Sequence, residues 1–258
     1  MRALASALTE VGEAGEPIPS VFHELMVEGA EIRMGELTLI ASAPGVGKSL
    51  IAVTLAVKAG VPTLFFSADT TPFTTGVRIG SMLTGRTIAE VDHAMRDETQ
   101  KQEYIKLVSQ KTSHIRWQFI PCPTIKDIEQ DVAAFAVAWG DYPHMIIVDN
   151  LRNVYSDEDD YTGFRHNIEA LKILAVETGS AVVVLHHLTG SYDDGQSIPP
   201  LSALEGKVSK LPSMVLNLFN GNRGDIGVAI VKNRFGAANP AGKLYLFLDT
   251  DLERVQIR

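Results

Sequence analysis

Residues 36–52 constrain the fold more than any other stretch of this sequence. An apolar run, 37–41, stops at a loop of small residues, and a helix-forming run follows from Lys48. A strand, a tight loop and a helix in this order form a phosphate site, because the loop aims backbone N–H groups at one point and the helix dipole adds positive charge there. Lys48 can reach the β- and γ-phosphates of ATP, and Ser49 can offer its hydroxyl to Mg²⁺. The predicted nucleotide-binding residues of this loop are Ser42, Ala43, Pro44, Gly45, Val46, Gly47, Lys48, Ser49 and Leu50.

The loop departs at one position from the phosphate-loop pattern of Gly, four residues and Gly-Lys-Ser/Thr. Ser42 stands where the pattern has its first glycine, whereas Gly45 and Gly47 still permit positive φ angles and close backbone approach. The alternative interpretation is an ordinary strand-to-helix turn that happens to contain Gly-Lys-Ser. The apolar strand before the loop and the apolar helix predicted at 48–59 favour a nucleoside triphosphate site.

The composition limits the class of protein and the compartment. A net charge of −8 argues against a generally basic nucleic-acid-binding surface, although it leaves room for a local basic channel. The single cysteine, Cys122, excludes an internal disulfide and a cysteine-rich zinc site, so a reducing compartment is expected. The apolar runs fall well short of the roughly 20 residues that a membrane span needs. We therefore expect a soluble cytoplasmic protein that does not associate with membranes.

Strand and helix patterns alternate along most of the chain and then give way to strands alone. Strands are predicted at 36–42 and, from its alternating pattern, at 115–120, and buried strands are predicted at 63–69, 144–149 and 181–187. The Gly-, Ser- and Asp-rich segment 188–200 is predicted to be a mobile loop. Four short strands, predicted to extend the sheet as antiparallel hairpins, follow at 214–220, 227–234, 243–249 and 252–257.

These patterns predict an α/β fold with a mostly parallel central sheet, helices that flank it, and an antiparallel C-terminal extension. Residues 1–30 are predicted to be an N-terminal arm and linker helix, and residues 31–258 the α/β domain. In such sheets the ligand site lies at the carboxyl ends of the parallel strands, so residues at those ends are the candidates for chemistry.

Asp149 follows four apolar residues and ends its predicted strand, which is the Walker B form. Its carboxylate would lie beside the phosphate loop and hold Mg²⁺ together with Ser49. The alternative is a buried strand stopped by a turn aspartate, with Asn150 next in the turn. The phosphate loop upstream favours the metal-binding interpretation, because both halves of a phosphate site are then present.

Two further strand ends carry groups that suit phosphate chemistry. Asp69 can orient the attacking water as a general base, or it can cap the next helix. His187 can donate a hydrogen bond to the γ-phosphate, although a lone histidine at a strand end is commonly structural. His186, next to it, should point to the opposite face of the strand.

Lys232 and Arg234 alternate near the end of a predicted strand and therefore point to the same side. Two cations in this position can reach the γ-phosphate bound to a neighbouring subunit, as an arginine finger does. The alternative is a solvated strand end without a catalytic role.

The order of these motifs resembles the ATPase domain of DnaB-type replicative helicases, the RecA-like superfamily 4. The resemblance covers about residues 30–250 and rests on the segments Gly35–Ser49, Phe65–Asp69, Ile146–Leu151, Val184–Thr189 and Ile230–Gly236. It implies a RecA-like P-loop ATPase fold for residues 31–258, in which Ser42 is a compatible variant of the first loop position.

The resemblance also implies roles for individual side chains. Asp69 stands at the place of a catalytic glutamate, and Arg78 matches an arginine of the following helix that belongs to the nucleotide site. His187 stands at the place of a glutamine that senses the γ-phosphate. Lys232 and Arg234 match a cation pair that acts across the subunit interface. The predicted catalytic residues are therefore Lys48, Asp69, His187, Lys232 and Arg234.

Contacts with single-stranded DNA are implied for the loops that follow Asp149 and His187, which line a central channel in the family. The first loop, 156–160, is acidic and should repel phosphate. The second carries the predicted DNA-binding residues Gly206, Lys207 and Lys210. The alternative for each lysine is a solvated helix start.

The sequence thus predicts a ring-forming homo-oligomeric ATPase, a hexamer by resemblance, that moves along single-stranded DNA in phage or plasmid replication. A primase or a loader is the further partner that the resemblance implies, and the compartment is the phage or bacterial host cytosol. One alternative is a RecA/RadA-type recombination or repair ATPase that forms filaments. Another is a nucleotide-regulated binding protein, which the net charge of −8 and the acidic loop favour.

Overall fold

The structure is a computed structural model that describes residues 15–221 and 224–257. Its first five strands are β1 (Leu37–Ser42), β2 (Thr63–Ser67), β3 (Ile115–Gln118), β4 (Met145–Asp149) and β5 (Ala181–His187). The helices are α1 (His23–Val27), α2 (Lys48–Ala59), α3 (Pro72–Thr84), α4 (Ile88–Ala94), α5 (Glu98–Lys111), α6 (Ile125–Trp139) and α7 (Asp160–Thr178). The last third contains β6 (Met214–Asn220), β7 (Ile226–Asn233), β8 (Tyr245–Leu248), β9 (Thr250–Asp251) and β10 (Gln256–Ile257).

Eight strands form one sheet in the order β3-β2-β4-β5-β1-β6-β7-β8. The strands from β3 to β6 are parallel, and β7 and β8 are antiparallel to their neighbours. The predicted α/β fold with a mostly parallel sheet and an antiparallel C-terminal extension is confirmed. The expectation that β6 begins the antiparallel part was wrong, because the long connection 188–213 returns the chain to the amino-terminal end of β1.

The prediction of a fourth C-terminal strand at 252–257 was also wrong. Only Gln256–Ile257 is extended there, and it pairs with Thr250–Asp251 in a separate two-stranded hairpin. A turn intervenes, since Val255 has a left-handed φ of 53°, which an extended strand cannot contain.

The segment 188–200, predicted to be mobile, packs against the phosphate loop. The N–H of Asn220 donates to the carbonyl of Gly195 at 2.8 Å. A Cβ atom at Gly195 would lie 2.7 Å from Val46 Cγ2, so only glycine permits this approach. The phosphate loop is therefore supported from the side of β5 as well as by its own strand and helix.

The sheet separates two apolar cores, and alternate residues of each central strand face one core or the other. Met145 and Ile147 of β4 pack with α2 and α3, whereas Ile146 and Val148 pack with α6 and α7. This burial on both faces fixes the strand ends at one edge, where Ser42, Asp149 and His187 terminate their strands.

Part of the predicted N-terminal arm lies outside the described residues, namely residues 1–14. The described part packs on the domain, with Ile18 and Phe22 buried in the core that contains α2. The domain boundary at residue 30 stays a prediction. No helix within residues 15–221 and 224–257 is long and apolar enough to cross a membrane.

Candidate nucleotide-binding and catalytic site

The phosphate loop has the backbone that its glycines predict. Gly45 and Gly47 have φ angles of 79° and 117°, and a Cβ atom at Gly47 would lie 2.5 Å from Ile226 Cδ1. Ser42 tolerates a side chain, since among the described residues only Lys207 and Val255 combine a side chain with a positive φ. Its hydroxyl donates to the carbonyl of Ala43 at 2.6 Å. This explains physically why the first glycine of the pattern is dispensable here.

Lys48 and Ser49 open helix α2 and face the tip of β4. The Lys48 ammonium is buried and donates to the carbonyl of Ser42 at 3.2 Å. Burial lowers the pKa of Lys48, and the carboxylates of Asp149 and Asp69 partly offset this effect. An ammonium group held in this way is available to an incoming phosphate.

Ser49 and Asp149 are brought together although 100 residues separate them in sequence: the Ser49 hydroxyl donates to Asp149 Oδ2 at 2.8 Å. Burial raises the pKa of Asp149, and the hydrogen bond from Ser49 opposes the rise. A desolvated carboxylate beside a hydroxyl is a donor set that suits Mg²⁺, which usually takes one or two carboxylates and completes its shell with phosphates and water. Asp149 is not a turn residue, because it ends a buried strand and is itself buried.

Asp69 projects into the same cleft, opposite Lys48. Asn150 Nδ2 donates to Asp69 Oδ2 at 2.7 Å and thereby fixes the orientation of the carboxylate. The alternative of Asp69 as a helix cap does not apply, since the side chain of Thr71 caps α3 by accepting from the N–H of Thr74. Asn150 was not among the predicted site residues, although its place directly after the Walker B aspartate was a signal for it.

His187 and Arg78 complete the polar lining of the cleft. The cleft measures about 410 Å³, and both side chains line it together with Lys48, Ser49, Asp69 and Asp149. Burial lowers the pKa of His187 to about 4, and the positive charge of Lys48 adds to this effect. A neutral imidazole at neutral pH can donate one hydrogen bond to a phosphate oxygen.

The cleft also has apolar walls, which were not predicted from the sequence. Its walls are Val53 of α2, Ile88 of α4, and Leu252 and Val255 of the β9–β10 turn. The N–H of Ile88 donates to the carbonyl of Glu253 at 2.8 Å, which joins α4 to that turn. No local pattern marks these residues, because only the docking of the C-terminal hairpin brings them to the cleft.

Lys232 and Arg234 lie far from this cleft. Strand β7 begins at Ile226, beside Gly47, and runs antiparallel to the parallel strands, so it ends at their amino-terminal edge. The Lys232 ammonium donates to the carbonyls of Ser209 and Lys210 at 2.7 and 2.9 Å. Arg234 is exposed, and its guanidinium has no hydrogen-bond partner within the described part of the chain. The predicted catalytic residues thus divide between two opposite edges of the sheet.

The predicted DNA-binding residues line a groove of about 570 Å³ beside α7. Lys207 and Lys210 are exposed there, and Tyr161 and Arg165 of α7 form the other wall. These two residues were missed, because they follow the acidic loop that argued against DNA.

The described carboxylates of the acidic loop 156–160 make hydrogen bonds or ion pairs with nearby residues. Asp159 accepts from the N–H groups of Tyr161 and Thr162, so it caps the start of α7. The Tyr155 hydroxyl donates to Asp157 at 2.6 Å, and Glu158 pairs with His166. These contacts orient the described carboxylates of the loop, and the acidic character that argued against DNA remains.

His186 points away from the cleft, as predicted. Its Nε2 lies 2.9 Å from the carbonyl of Glu205, and the side chain is fully buried. Burial is the main cause that lowers its pKa to about 4, and the charges of Lys48 and Arg152 add to it. Between about pH 6.5 and about pH 4 the unfolded chain therefore binds a proton at residue 186, whereas the ring in the folded protein stays neutral.

We expect the protein to lose stability as the pH falls from about 6.5 to about 4. The unfolded chain binds a proton at residue 186 in this window while the folded protein does not, which costs up to about 3 kcal/mol at its lower end. Urea unfolding at pH 7 and pH 4.5 measures the effect. His186→Gln, which keeps a donor for the Glu205 carbonyl, should show a smaller loss, and the exposed control His23→Gln should behave as the wild type. Equal losses in all three proteins would contradict the assignment.

Fold and cleft together define a RecA-like P-loop ATPase domain. The chain belongs to the family described as AAA domain, whose model matches residues 23–191. The Gene 65 protein of Mycobacterium phage L5 is similar, with 34% identity over 254 residues that cover 95% of this chain and 94% of the relative. The Gene 65 protein of Mycobacterium phage D29 is 34% identical over 229 residues, which cover 86% of this chain and 98% of the relative.

Solved structures share the fold over nearly the whole chain. One of them, described as an ATPase domain, has a TM-score of 0.81 at 16% identity and covers 98% of this chain and 95% of its own. A DnaB-like replicative helicase, described with its interactions with primase, has a TM-score of 0.80 at 16% identity and covers 98% of this chain and 66% of its own. A KaiC-like protein, PH0186 from Pyrococcus horikoshii OT3, has a TM-score of 0.63 at 13% identity, over 94% of this chain and 98% of its own. The predicted resemblance to a DnaB-type ATPase domain is confirmed at the level of the fold.

Proposed function

We propose that this protein is an ATPase that assembles head to tail into a ring and moves along single-stranded DNA in phage replication. The observation that carries the proposal is the separation of the nucleotide cleft from Lys232 and Arg234, which lie at opposite edges of one sheet. Cations at that edge cannot reach the phosphates bound by their own chain, so only the cleft of a neighbouring copy can use them. The phage relatives and the fold shared with a DnaB-like replicative helicase support a replication role.

The side chains of the cleft divide the work of hydrolysis. The loop N–H groups and Lys48 bind the phosphates, and Ser49 and Asp149 would hold Mg²⁺, which when bound neutralises charge on the β- and γ-phosphate oxygens. Asp69, oriented by Asn150, accepts the proton of the attacking water. His187 donates a hydrogen bond to the γ-phosphate, and Arg234 of the next copy stabilises the charge that develops in transfer.

The apolar walls of the cleft are proposed to hold the nucleoside, since the polar residues of the lining are proposed to hold the triphosphate. Leu252→Ala should raise the KM for ATP by about tenfold with little change in kcat, because burial of a leucine side chain is worth roughly 1.5–3 kcal/mol and ground state and transition state use it alike. Inorganic tripolyphosphate has no base and should bind the variant and the wild type equally. Ile105→Ala, at a similarly exposed apolar position on α5, is the control. A parallel loss of tripolyphosphate binding would show that Leu252 supports the loop and not the nucleoside.

The groove beside α7 supports single-stranded DNA as the polymer. Lys207, Lys210 and Arg165 supply cations for phosphates, and the exposed Tyr161 ring can stack on a base. A ring presents one groove for each copy, so a few cations per chain can follow a DNA strand even though the chain carries a net charge of −8.

The ATPase rate with and without single-stranded DNA, measured together with the mass of the oligomer, tests the proposal. DNA should stimulate hydrolysis by a ring-sized species. The slope of log DNA affinity against log salt concentration should become shallower in the Lys207→Ala/Lys210→Ala double variant. The slope should change by about 0.7 for each phosphate contact that is lost, because fewer counterions are released on binding. Lys126→Ala, an exposed lysine at the start of α6, should leave the slope unchanged. Absence of DNA binding at low salt would refute translocation.

Two other outcomes would select the alternatives. Helical filaments on DNA in electron microscopy would favour a RecA/RadA-type recombination or repair ATPase. Nucleotide binding without DNA binding would favour a nucleotide-regulated binding protein. The proposal also includes a primase or a loader as partner, a hexameric ring and the cytosol of the bacterial host. Co-purification from infected cells tests the partner, and the mass of the oligomer tests the ring.

A further inference from the structure

The side chain of Lys232 is engaged within its own chain, although the sequence placed it among the cations for a neighbour's phosphates. Its ammonium donates to the carbonyls of Ser209 at 2.7 Å and Lys210 at 2.9 Å. An ammonium group has three donors, so these two carbonyls use most of its capacity. Burial lowers the pKa of Lys232, and the charge of Arg234 adds to the shift, which indicates that the two cations are close. Arg234 is therefore the cation of the pair that is free to leave its own chain.

The carbonyls that Lys232 binds belong to the basic turn, residues 205–210, which carries the proposed DNA contacts. The other end of the turn is also anchored, through Glu205. The carbonyl of Glu205 lies 2.9 Å from His186 Nε2, and the Glu205 carboxylate accepts a hydrogen bond from Arg152 at 2.7 Å. In its middle, Gly206 and Lys207 have left-handed φ angles of 68° and 53°. The basic turn is thus attached at one end to β5 and at the other to β7.

The backbone of the basic turn has little room to relax on its own. A Cβ atom at Gly206 would lie 2.8 Å from the ring of Phe164 in α7. A left-handed φ at Lys207 is unusual for a residue with a side chain and is kept only when its surroundings impose it. A displacement of the turn by a ligand in the groove must therefore be passed on to its attachments, of which Lys232 is one.

The end of β7 is held on its other side by the N-terminal segment. Asn233 Nδ2 donates to the carbonyl of Gly29 at 3.0 Å, and the guanidinium of Arg33 lies 5.0 Å from the centre of the Phe235 ring. Arg234 is consequently flanked by anchored residues on both sides, and its own N–H donates to the carbonyl of Ser213 at 2.9 Å, three residues after Lys210.

We propose that Lys232 is a positioning residue, which ties the basic turn to β7 and so sets Arg234 according to the occupancy of the DNA groove. The inference rests on the proposed function, because it takes Lys207 and Lys210 as DNA contacts and Arg234 as the cation for the neighbouring cleft. It reassigns Lys232 from a ligand of phosphate to the link between the polymer site and the catalytic cation.

Hydrogen exchange of the nucleotide-free protein tests the tie independently of activity. Lys232→Met keeps the length of the side chain but removes its donors, and the amides of residues 205–211 should exchange at least about tenfold faster than in the wild type. Lys232→Arg, which can donate to the same carbonyls, should restore slow exchange. Lys243→Met, at an exposed lysine between β7 and β8, is the matched control and should have no effect on these amides. Unchanged exchange in Lys232→Met would overturn the proposal.

The ratio of ATPase rates with and without an oligo(dT) strand tests the consequence. A positioning role predicts that Lys232→Met loses most of the stimulation by DNA at an unchanged KM for ATP, and that Lys232→Arg regains it. A direct contact between Lys232 and the phosphate predicts instead that both rates fall by one common factor and that the ratio survives, which would overturn the proposal. If the wild type shows no stimulation, the proposed function fails, and the exchange experiment still decides whether Lys232 holds the turn.

Discussion

Replacement of Arg234 by alanine is expected to lower kcat for ATP hydrolysis by about 10³-fold or more, the range measured for arginine fingers in phosphoryl transfer. Nucleotide affinity should change by less than about threefold, because the loop, Lys48 and Asp149, which are proposed to bind the triphosphate, lie at the other edge of the sheet. Steady-state kinetics with a fluorescent nucleotide titration separates the two effects. Arg96→Ala, which removes an exposed arginine next to α4, serves as the control for loss of surface charge.

Mixed assemblies make the same prediction sharper. Chains with Lys48→Ala lack a working cleft but carry an intact Arg234, whereas Arg234→Ala chains have the opposite defect. In an equal, random mixture about a quarter of the interfaces pair an intact cleft with an intact arginine, so two inactive proteins should give activity when mixed. Full activity of Arg234→Ala alone, or no recovery in the mixture, would contradict a cation supplied by the neighbour.

Replacement of Asp69 by asparagine is expected to lower kcat by about 10²–10⁴-fold, the usual contribution of a general base. The amide cannot accept the proton of water, while it keeps the size of the side chain and its contact with Asn150. The KM for ATP should change little, since Asp69 acts on the water and not on the nucleotide. Single-turnover hydrolysis measured by quenched flow reports the chemical step directly.

Asp69→Glu tests whether the side chain of Asp69, which is one methylene shorter than the glutamate that the family has at this place, limits the rate of hydrolysis. Asp69 is exposed to the cleft, so an added methylene has room, and we expect activity within about tenfold of the wild type. Thr71→Ala is the control for the adjacent helix start, where Thr71 provides the cap; it should change stability and spare kcat. Normal turnover of Asp69→Asn would assign the base to another group of the cleft.

The sequence sufficed for features that depend on local pattern. The helix at 48–59 follows from its apolar residues and from the glycine that ends it, which act within a few residues. Lys48 followed from the phosphate-loop pattern. The cleft residues Asp69, Asp149 and His187 followed from one topological rule, namely that parallel strands end at the same edge.

Features that depend on contacts between distant segments could not be predicted from the sequence. The apolar wall of Ile88, Leu252 and Val255 exists because the β9–β10 turn docks on α4, and ordinary apolar residues give no sign of such docking. The tie from Lys232 to the carbonyls of Ser209 and Lys210 is equally hidden, since every residue has a carbonyl and no side-chain type marks the acceptor. The link between Asn150 and Asp69 joins two strand ends whose spacing only the folded sheet determines.

Under the proposed function, the reversal of chain direction at β7 gives each copy of the molecule two half-sites and no complete site. A solitary copy then holds ATP without the cation needed to cleave it, so turnover per molecule should fall on dilution as the copies separate. An open row of copies always leaves one terminal cleft unserved, whereas closure gives every cleft its cation. On this proposal the direction of one strand makes assembly the condition for catalysis, and unassembled protein would not cleave ATP.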